Sequence, residues 1–245
     1  MPDAPFIALF TDFGLAGPYT GQMKAVLRRA APESDVIDLF ADAPTGDPKA
    51  AAYLLAAYAA WFPAGTIFLC VVDPGVGGAR APLMIEADGR WYVGPDNGLF
   101  ELVLRRANHA RVLAIDWRPE KLSASFHGRD LFAPVAARLG LGEIPAHHAH
   151  DPIRHPARPD DLAEIIYIDH YGNALTGLRT SAVPPEAVLS TDSHRIAQAA
   201  TFSAVPPGAA FWYENSNGLV EIAVNLGRAD ATLGLRIGSP VALST

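Results

Sequence analysis

The sequence predicts an α/β protein: an N-terminal, mainly parallel sheet with flanking helices, followed by a small C-terminal antiparallel β-barrel. Three observations carry this. Short apolar runs alternate with helical stretches through the first 140 residues, as when strands are joined by helical crossovers. Beyond that point the helical period fades, and short β-type runs follow one another across Asn/Gly and Pro/Gly turns. Half of the 245 residues are hydrophobic and 18% are charged, enough apolar surface for a buried core and too little charge for a disordered chain.

In the first part, strands are expected at 7–10, 36–39, 67–72, 83–86, 91–93 and 112–115, with helices near 19–30, 48–61, 99–106 and 130–139. The run 67–72 is apolar on both faces, as befits a central strand covered on each side. The alanine-rich stretch 48–61 opens at Pro48 and ends before Pro63, which reads as a buried helix. It is shorter than the roughly 20 residues a bilayer requires. Residues 140–161 are proline-rich, hold four of the chain's eight histidines and show little periodicity. They are read as a linker from about residue 140, closing a first domain at 1–158 and preceding a second at 159–245. Strands at 164–168, 210–213, 220–224 and 232–237 are expected there.

Lysine and arginine number 19 against 26 acidic residues, a net charge of −7. Without a basic run, such a chain is a poor partner for nucleic acid or an anionic membrane surface. The single cysteine, Cys70, excludes an internal disulfide and a cysteine-built zinc site. It lies in an apolar run, as a core thiol in a reducing compartment does. Met1–Pro2–Asp3–Ala4–Pro5 carries no basic leader region, so the expected location is the cytoplasm.

Ligands of parallel α/β sheets gather beyond the carboxyl ends of strands, and three polar clusters sit where such ends are expected. Thr11–Asp12–Phe13–Gly14 follows the first strand; Asp12 can bind both hydroxyls of a ribose, or cap the next helix. Asp73–Pro74–Gly75–Val76–Gly77–Gly78–Ala79–Arg80 follows the most apolar strand. Its turn residues can bring Asp73 and Arg80 together, as a structural ion pair or as chemistry. The glycine spacing and the absence of a lysine argue against a phosphate-binding loop. Ser123–Ala124–Ser125–Phe126–His127–Gly128–Arg129–Asp130 precedes a helix, and His127 there is an acid, a base or a cap-region side chain. Near the C-terminus, Asp169–His170–Tyr171–Gly172–Asn173 and Tyr213–Glu214–Asn215–Ser216–Asn217–Gly218 are turns that can also offer amides and hydroxyls.

Taken in order, Phe10–Gly14, Asp73–Gly77, Gly94–Pro95–Asp96–Asn97–Gly98, Phe126–Asp130, Asp169–Asn173 and Tyr213–Ala223 resemble the S-adenosylmethionine hydroxide adenosyltransferase family over residues 6–237. That family includes relatives of the fluorinase and chlorinase enzymes. The resemblance implies hydrolysis of S-adenosyl-L-methionine to adenosine and L-methionine, with no cofactor and no metal. It implies a homotrimer whose sites lie between the N-terminal domain of one subunit and the C-terminal domain of the next. The implied catalytic set is Asp73, Arg80 and His127. Asp12 is the implied ribose ligand, Asp169 the methionine ligand and Asn173 the purine contact, with Ser216, Glu221 and the backbone near Val224 lining the ligand. Asn217 stands where halogenating relatives carry an arginine toward the methionine carboxylate.

The implied reaction is coherent chemically. A sulfonium leaves C5′ as a neutral thioether, so the demand falls on holding and activating water. A carboxylate about 4 Å from a chloride repels it by roughly 4 kcal/mol at an effective dielectric of about 20. Asp73, an acid the halogenating relatives lack at this position, therefore favours water over halide. Two other readings compete: a sensor that binds the nucleoside without turnover, and a metallohydrolase using His147, His148, His150, His155 and Asp151. The histidine spacing matches no defined zinc motif.

Overall fold

The computed structural model describes residues 5–191 and 194–244; Met1–Ala4, in which no basic leader region is expected, lie outside them. The chain divides into two compact units, Met1–His155 and Pro156–Thr245.

The first unit runs β1 (Phe6–Thr11), α1 (Tyr19–Ala30), β2 (Asp35–Phe40), α2 (Pro48–Tyr58), β3 (Ile67–Val71), β4 (Pro82–Ala87), β5 (Arg90–Pro95), α3 (Glu101–Arg106), β6 (Ala110–Ile115), α4 (Ala133–Gly140) and β7 (His147–Ala149). These strands form one sheet in the order β2-β1-β3-β5-β4-β6-β7. Alternation explains the layers. Ile7 and Leu9 pack with Met23 and Leu27 of α1 and with Val135 and Leu139 of α4. The intervening Ala8 and Phe10 are equally buried, and Phe10 meets Phe40, which meets Tyr58 of α2. A strand with both faces covered needs apolar residues throughout. Cys70 on β3 is fully buried, and that burial pushes its thiol pKa well up.

Within the expected α/β frame the sheet combines a parallel and an antiparallel part. β2, β1, β3 and β5 pair in parallel, whereas the β5–β4, β4–β6 and β6–β7 pairings are antiparallel. The cause is local. Asp88 and Gly89 both have positive φ (44° and 77°), the geometry of an Asp-Gly hairpin turn, and a two-residue turn permits only an antiparallel return. Two further expectations shift. The 130–139 helix is α4 preceded by a π-helical turn at Gly128–Phe132. Part of the stretch expected to be an irregular linker is β7, three edge residues paired with β6 and too short for periodicity to reveal.

The second unit contains β8 (Leu162–Ile168), β9 (Ala174–Arg179), β10 (Val188–Ser190), β11 (Arg195–Ile196), β12 (Ala210–Glu214), β13 (Leu219–Val224), α5 (Ala229–Leu233) and β14 (Ala242–Ser244). An antiparallel four-stranded sheet, β12-β13-β9-β8, and a three-stranded one, β11-β10-β14, share a core. Leu189 and Ile196 of the smaller sheet meet Trp212 and Ile222 of the larger, and the Trp212 indole N–H donates to the Ala187 carbonyl at 3.0 Å. The expected strand at 232–237 is absent. The Leu233/Leu235 alternation that suggested it does face the core, but Gly234 at φ +66° ends α5 between them.

Candidate active site

The order β2-β1-β3 makes the gap between β1 and β3 a topological switch point, because the connections from β1 and from β2 depart to opposite sides. Asp12 follows β1 and Asp73 follows β3, whose ends are paired Thr11 to Val71. The Asp12 loop is tied to the segment after β2. Gly14 N–H donates to the Ala41 carbonyl at 2.6 Å, Ala43 N–H to the Thr11 carbonyl at 3.0 Å, and Gly46 N–H to Asp12 Oδ2 at 2.8 Å.

The Asp73 loop turns tightly, with Val76 N–H on the Asp73 carbonyl and Gly78 N–H on that of Gly75. Gly77 has φ +81°, and a Cβ there would lie 2.5 Å from the Ala124 carbonyl oxygen. Only glycine lets this loop press on the segment leading to His127. The turn returns Arg80 to Asp73. Arg80 Nε lies 3.0 Å from each Asp73 oxygen, and Nη2 also donates to Oδ2. The same Nη2 lies 2.9 Å from His127 Nδ1. A guanidinium only donates, so Nδ1 accepts and a neutral His127 carries its proton on Nε2. The side chains of Asp73 and Arg80 are 4% and 9% exposed, which makes the pair a buried fork rather than a surface ion pair.

Burial lowers the His127 pKa, and the Arg80 charge lowers it further. Burial raises the Asp12 pKa against the Gly46 hydrogen bond, with the nearby Asp73 charge adding to the rise. A cavity of about 60 Å³ has Asp12, Asp73 and His127 in its wall beside Phe13, Val76 and Phe126. It has room for water. A second cavity, of about 350 Å³, shares His127 with it and is lined also by Arg80, Asp116, His148 and His150.

The second unit gathers the C-terminal candidates around a buried carboxylate. Glu221, on β13, accepts from the Tyr213 hydroxyl and, at 3.0 Å, from Asn215 Nδ2. Asn173 also hydrogen-bonds it, and Asp169 lies near enough to act on its charge. Asn173 donates to Asp169 from its backbone (2.8 Å) and from Nδ2 (3.1 Å). Burial raises the Glu221 pKa, with these donors opposing. Ser216 accepts from Asn217 Nδ2 at 3.2 Å. Val224 lies apart from the cluster. It shares the core-facing parity of Val220 and Ile222, opposite to Glu221 in the strand alternation, so it has only backbone to offer a ligand.

The model of the SAM hydroxide adenosyltransferase N-terminal domain matches residues 7–149, and that of the C-terminal domain matches 163–242. The chain belongs to this family. A relative from Thermus thermophilus named (R)-S-adenosyl-L-methionine hydrolase is 39% identical, covering 97% of this chain and 98% of its own. One of the same name from Salinispora arenicola is 38% identical, covering 97% of each. An uncharacterized conserved protein from Thermotoga maritima superposes with a TM-score of 0.87 at 29% identity, covering 97% of this chain and all of its own.

In this adenosyltransferase chain the histidine-rich segment has structural partners. His148 Nδ1 sits 2.9 Å from Asp116, His150 Nε2 sits 2.9 Å from Asp96, and His147 Nδ1 sits 2.7 Å from the Pro145 carbonyl. His155 N–H donates to Glu101, while the Asp151 side chain is 90% exposed. Among the described residues no three His, Cys, Asp or Glu side chains converge as metal ligands, and no helix is long and apolar enough to cross a membrane. The sequence places Tyr213 and Asn215 in a turn able to offer hydroxyls and amides, without joining them to Glu221. Their signal was the spacing to Glu221 across a hairpin, since Tyr213 pairs directly with it.

Proposed function

We propose that this protein hydrolyses S-adenosyl-L-methionine, in the (R) sulfonium configuration its relatives are named for, to adenosine and L-methionine. The observation that carries the reading is the buried Asp73–Arg80–His127 chain beside Asp12 at the switch point. Asp12 would hold the ribose hydroxyls, leaving C5′ toward the trio. Water attacks C5′ in line, the C5′–O bond forms, and the C5′–S pair stays on sulfur as the neutral thioether of methionine. Each carboxylate oxygen has two lone-pair directions, so Asp73 keeps acceptor capacity beyond the Arg80 fork and takes the water's proton. Arg80 offsets the developing hydroxide charge. His127, with Nδ1 engaged by Arg80, donates from Nε2 and orients the nucleophile.

The sulfonium is already activated, so the reading assigns no cofactor and no metal. Asp169, Asn173, Ser216, Glu221 and the Val224 backbone would hold the methionine and purine ends, in a homotrimer that completes each site from two subunits. Val76 in the wall of the small cavity, and Tyr19 against its Phe13 and Phe126, are exposed apolar side chains that such a partner would cover. The fully buried, unpaired Cys70 accords with a cytoplasmic enzyme.

The test is a single turnover of each sulfonium epimer in ¹⁸O-water, followed by mass spectrometry. Adenosine labelled at its 5′ oxygen, formed faster from the (R) epimer, is expected. No adenosine would leave a nucleoside-binding sensor, and unlabelled adenosine would mean attack by a protein carboxylate. Preferential 5′-chloro-5′-deoxyadenosine in chloride buffer would make the protein a halide adenosyltransferase instead.

A further inference from the structure

Two charged residues of the His127 motif have no place in the trio and make no wall of the small cavity: Arg129 and Asp130. Their contacts all point to the way the site is held. Arg129 forks onto Asp130, Nε to Oδ1 at 2.6 Å and Nη2 to Oδ2 at 3.0 Å. Asp130 Oδ2 also accepts from Ser123 N–H at 2.9 Å, closing the loop that carries His127. The remaining arm, Arg129 Nη1, donates to Gln22 Oε1 on α1 at 2.9 Å.

The guanidinium also covers an aromatic junction. Its carbon lies 5.1 Å from the Phe126 ring centre, a cation–π distance. Phe126 meets Phe13 at 5.8 Å and Tyr19 at 5.4 Å, both nearly edge to face. Phe13 follows Asp12, Phe126 precedes His127, and Tyr19 opens α1. The ribose-anchoring loop, α1 and the His127 loop therefore meet at one cluster. Immediately after His127 the backbone makes its π-helical turn, a local irregularity of the kind that re-aims side chains at functional sites.

We propose that the Arg129–Asp130 pair is a positioning clamp that fixes the spacing between Asp12 and His127. It thereby sets the distance from C5′ of the ribose to the nucleophile held by the trio. The proposal rests on the hydrolase reading above, because in-line attack is what makes that spacing matter. A misplacement of about 1 Å costs on the order of 10²-fold in rate, whereas ribose binding to Asp12 survives it. The clamp therefore acts on kcat and leaves KM nearly unchanged. Two neutral or aliphatic side chains here would conserve bulk and lose the fork, the loop closure and the cation over Phe126 together.

The experiment compares Arg129→Lys, which keeps the charge and loses the fork, with Asp130→Asn and with Arg111→Lys at the exposed pair with Glu86. Each is assayed for kcat, KM and thermal unfolding, and the His127 ring is followed by ¹⁵N NMR. Loss of kcat by about tenfold or more in the two clamp variants, with KM within about twofold and a changed His127 ring signal, is expected; Arg111→Lys behaves as wild type. Unchanged kcat in folded clamp variants would overturn the proposal. So would a fall in kcat that only tracks the folded fraction, or a rise in KM at constant kcat. If wild type released no adenosine, the hydrolase reading would fall, and an unchanged His127 ring signal in both clamp variants would separately defeat the clamp.

Discussion

Asp73 and Glu221 are both buried carboxylates, one in each unit, and the protein treats them in opposite ways. Asp73 faces a guanidinium that donates to both its oxygens, and the cation in turn grips His127. Glu221 is met by neutral donors, a phenol and side-chain amides, with the Asp169 charge nearby. A buried charge needs compensation. In the first unit the compensation is built in, and the fork also fixes the carboxylate's orientation. In the second it is incomplete, and burial lifts the Glu221 pKa; a ligand bearing positive charge would complete it.

The largest effect should come from removing the built-in cation. Arg80→Ala leaves Asp73 buried and unpaired, a loss of about 3–5 kcal/mol in a urea unfolding titration, and abolishes adenosine release. A loss below about 1 kcal/mol would mean that Asp73 is already solvated, and the contrast with Glu221 would collapse. Next in size is Asp73→Asn. It keeps the side chain's shape and removes the proposed proton acceptor, so kcat is expected to fall about 10²–10⁴-fold with the fold retained. Wild-type turnover in that variant would move the base elsewhere.

How far these features were legible depends on the range over which each is determined. The Asp73–Arg80 approach is local: proline and glycines over eight residues encode a tight turn, and the ion pair follows. The bond from Arg80 to His127 spans 47 positions and needs β3 and the pre-α4 loop to arrive together, which no spacing rule conveys. The sheet's antiparallel half was written in the Asp88–Gly89 dipeptide but overlooked in favour of the crossover pattern. Residues 232–237 show the opposite error. Their apolar alternation was real, yet burial of Leu233 and Leu235 is achieved around a helix end at Gly234 rather than along a strand. The histidine-rich run suggests a competing metal cluster, whereas His148 and His150 meet single carboxylates, Asp116 and Asp96, that lie 32 and 54 residues away.

Tyr213→Phe sharpens the comparison from the other side. Deleting one neutral donor to a charged acceptor costs about 1.5–3 kcal/mol, less than the loss of Arg80. The Glu221 pKa should rise further, because the Tyr213 bond lowers it. Carbon-detected NMR of the Glu221 carboxyl reads that shift directly, and a downward movement would mean that the phenol does not stabilise the ionised form.

The smallest effect is also the most discriminating. Glu221 has a folded-state pKa raised above the ordinary 4.5, so folding favours its protonated form. Its contribution to stability is full below about pH 4.5 and is lost as pH rises through the folded-state value. Glu221→Gln cannot titrate and lacks that slope, although its single carbonyl satisfies fewer of the surrounding donors. The stability of wild type relative to Glu221→Gln should therefore fall as pH climbs above 4.5 and level off once both states are ionised. Parallel stability curves over that interval would mean that neutral donors compensate Glu221 fully. Bound substrate should flatten the slope if its positive charge supplies what the protein leaves out, whereas it should leave the Asp73 side unchanged, since Arg80 is already there.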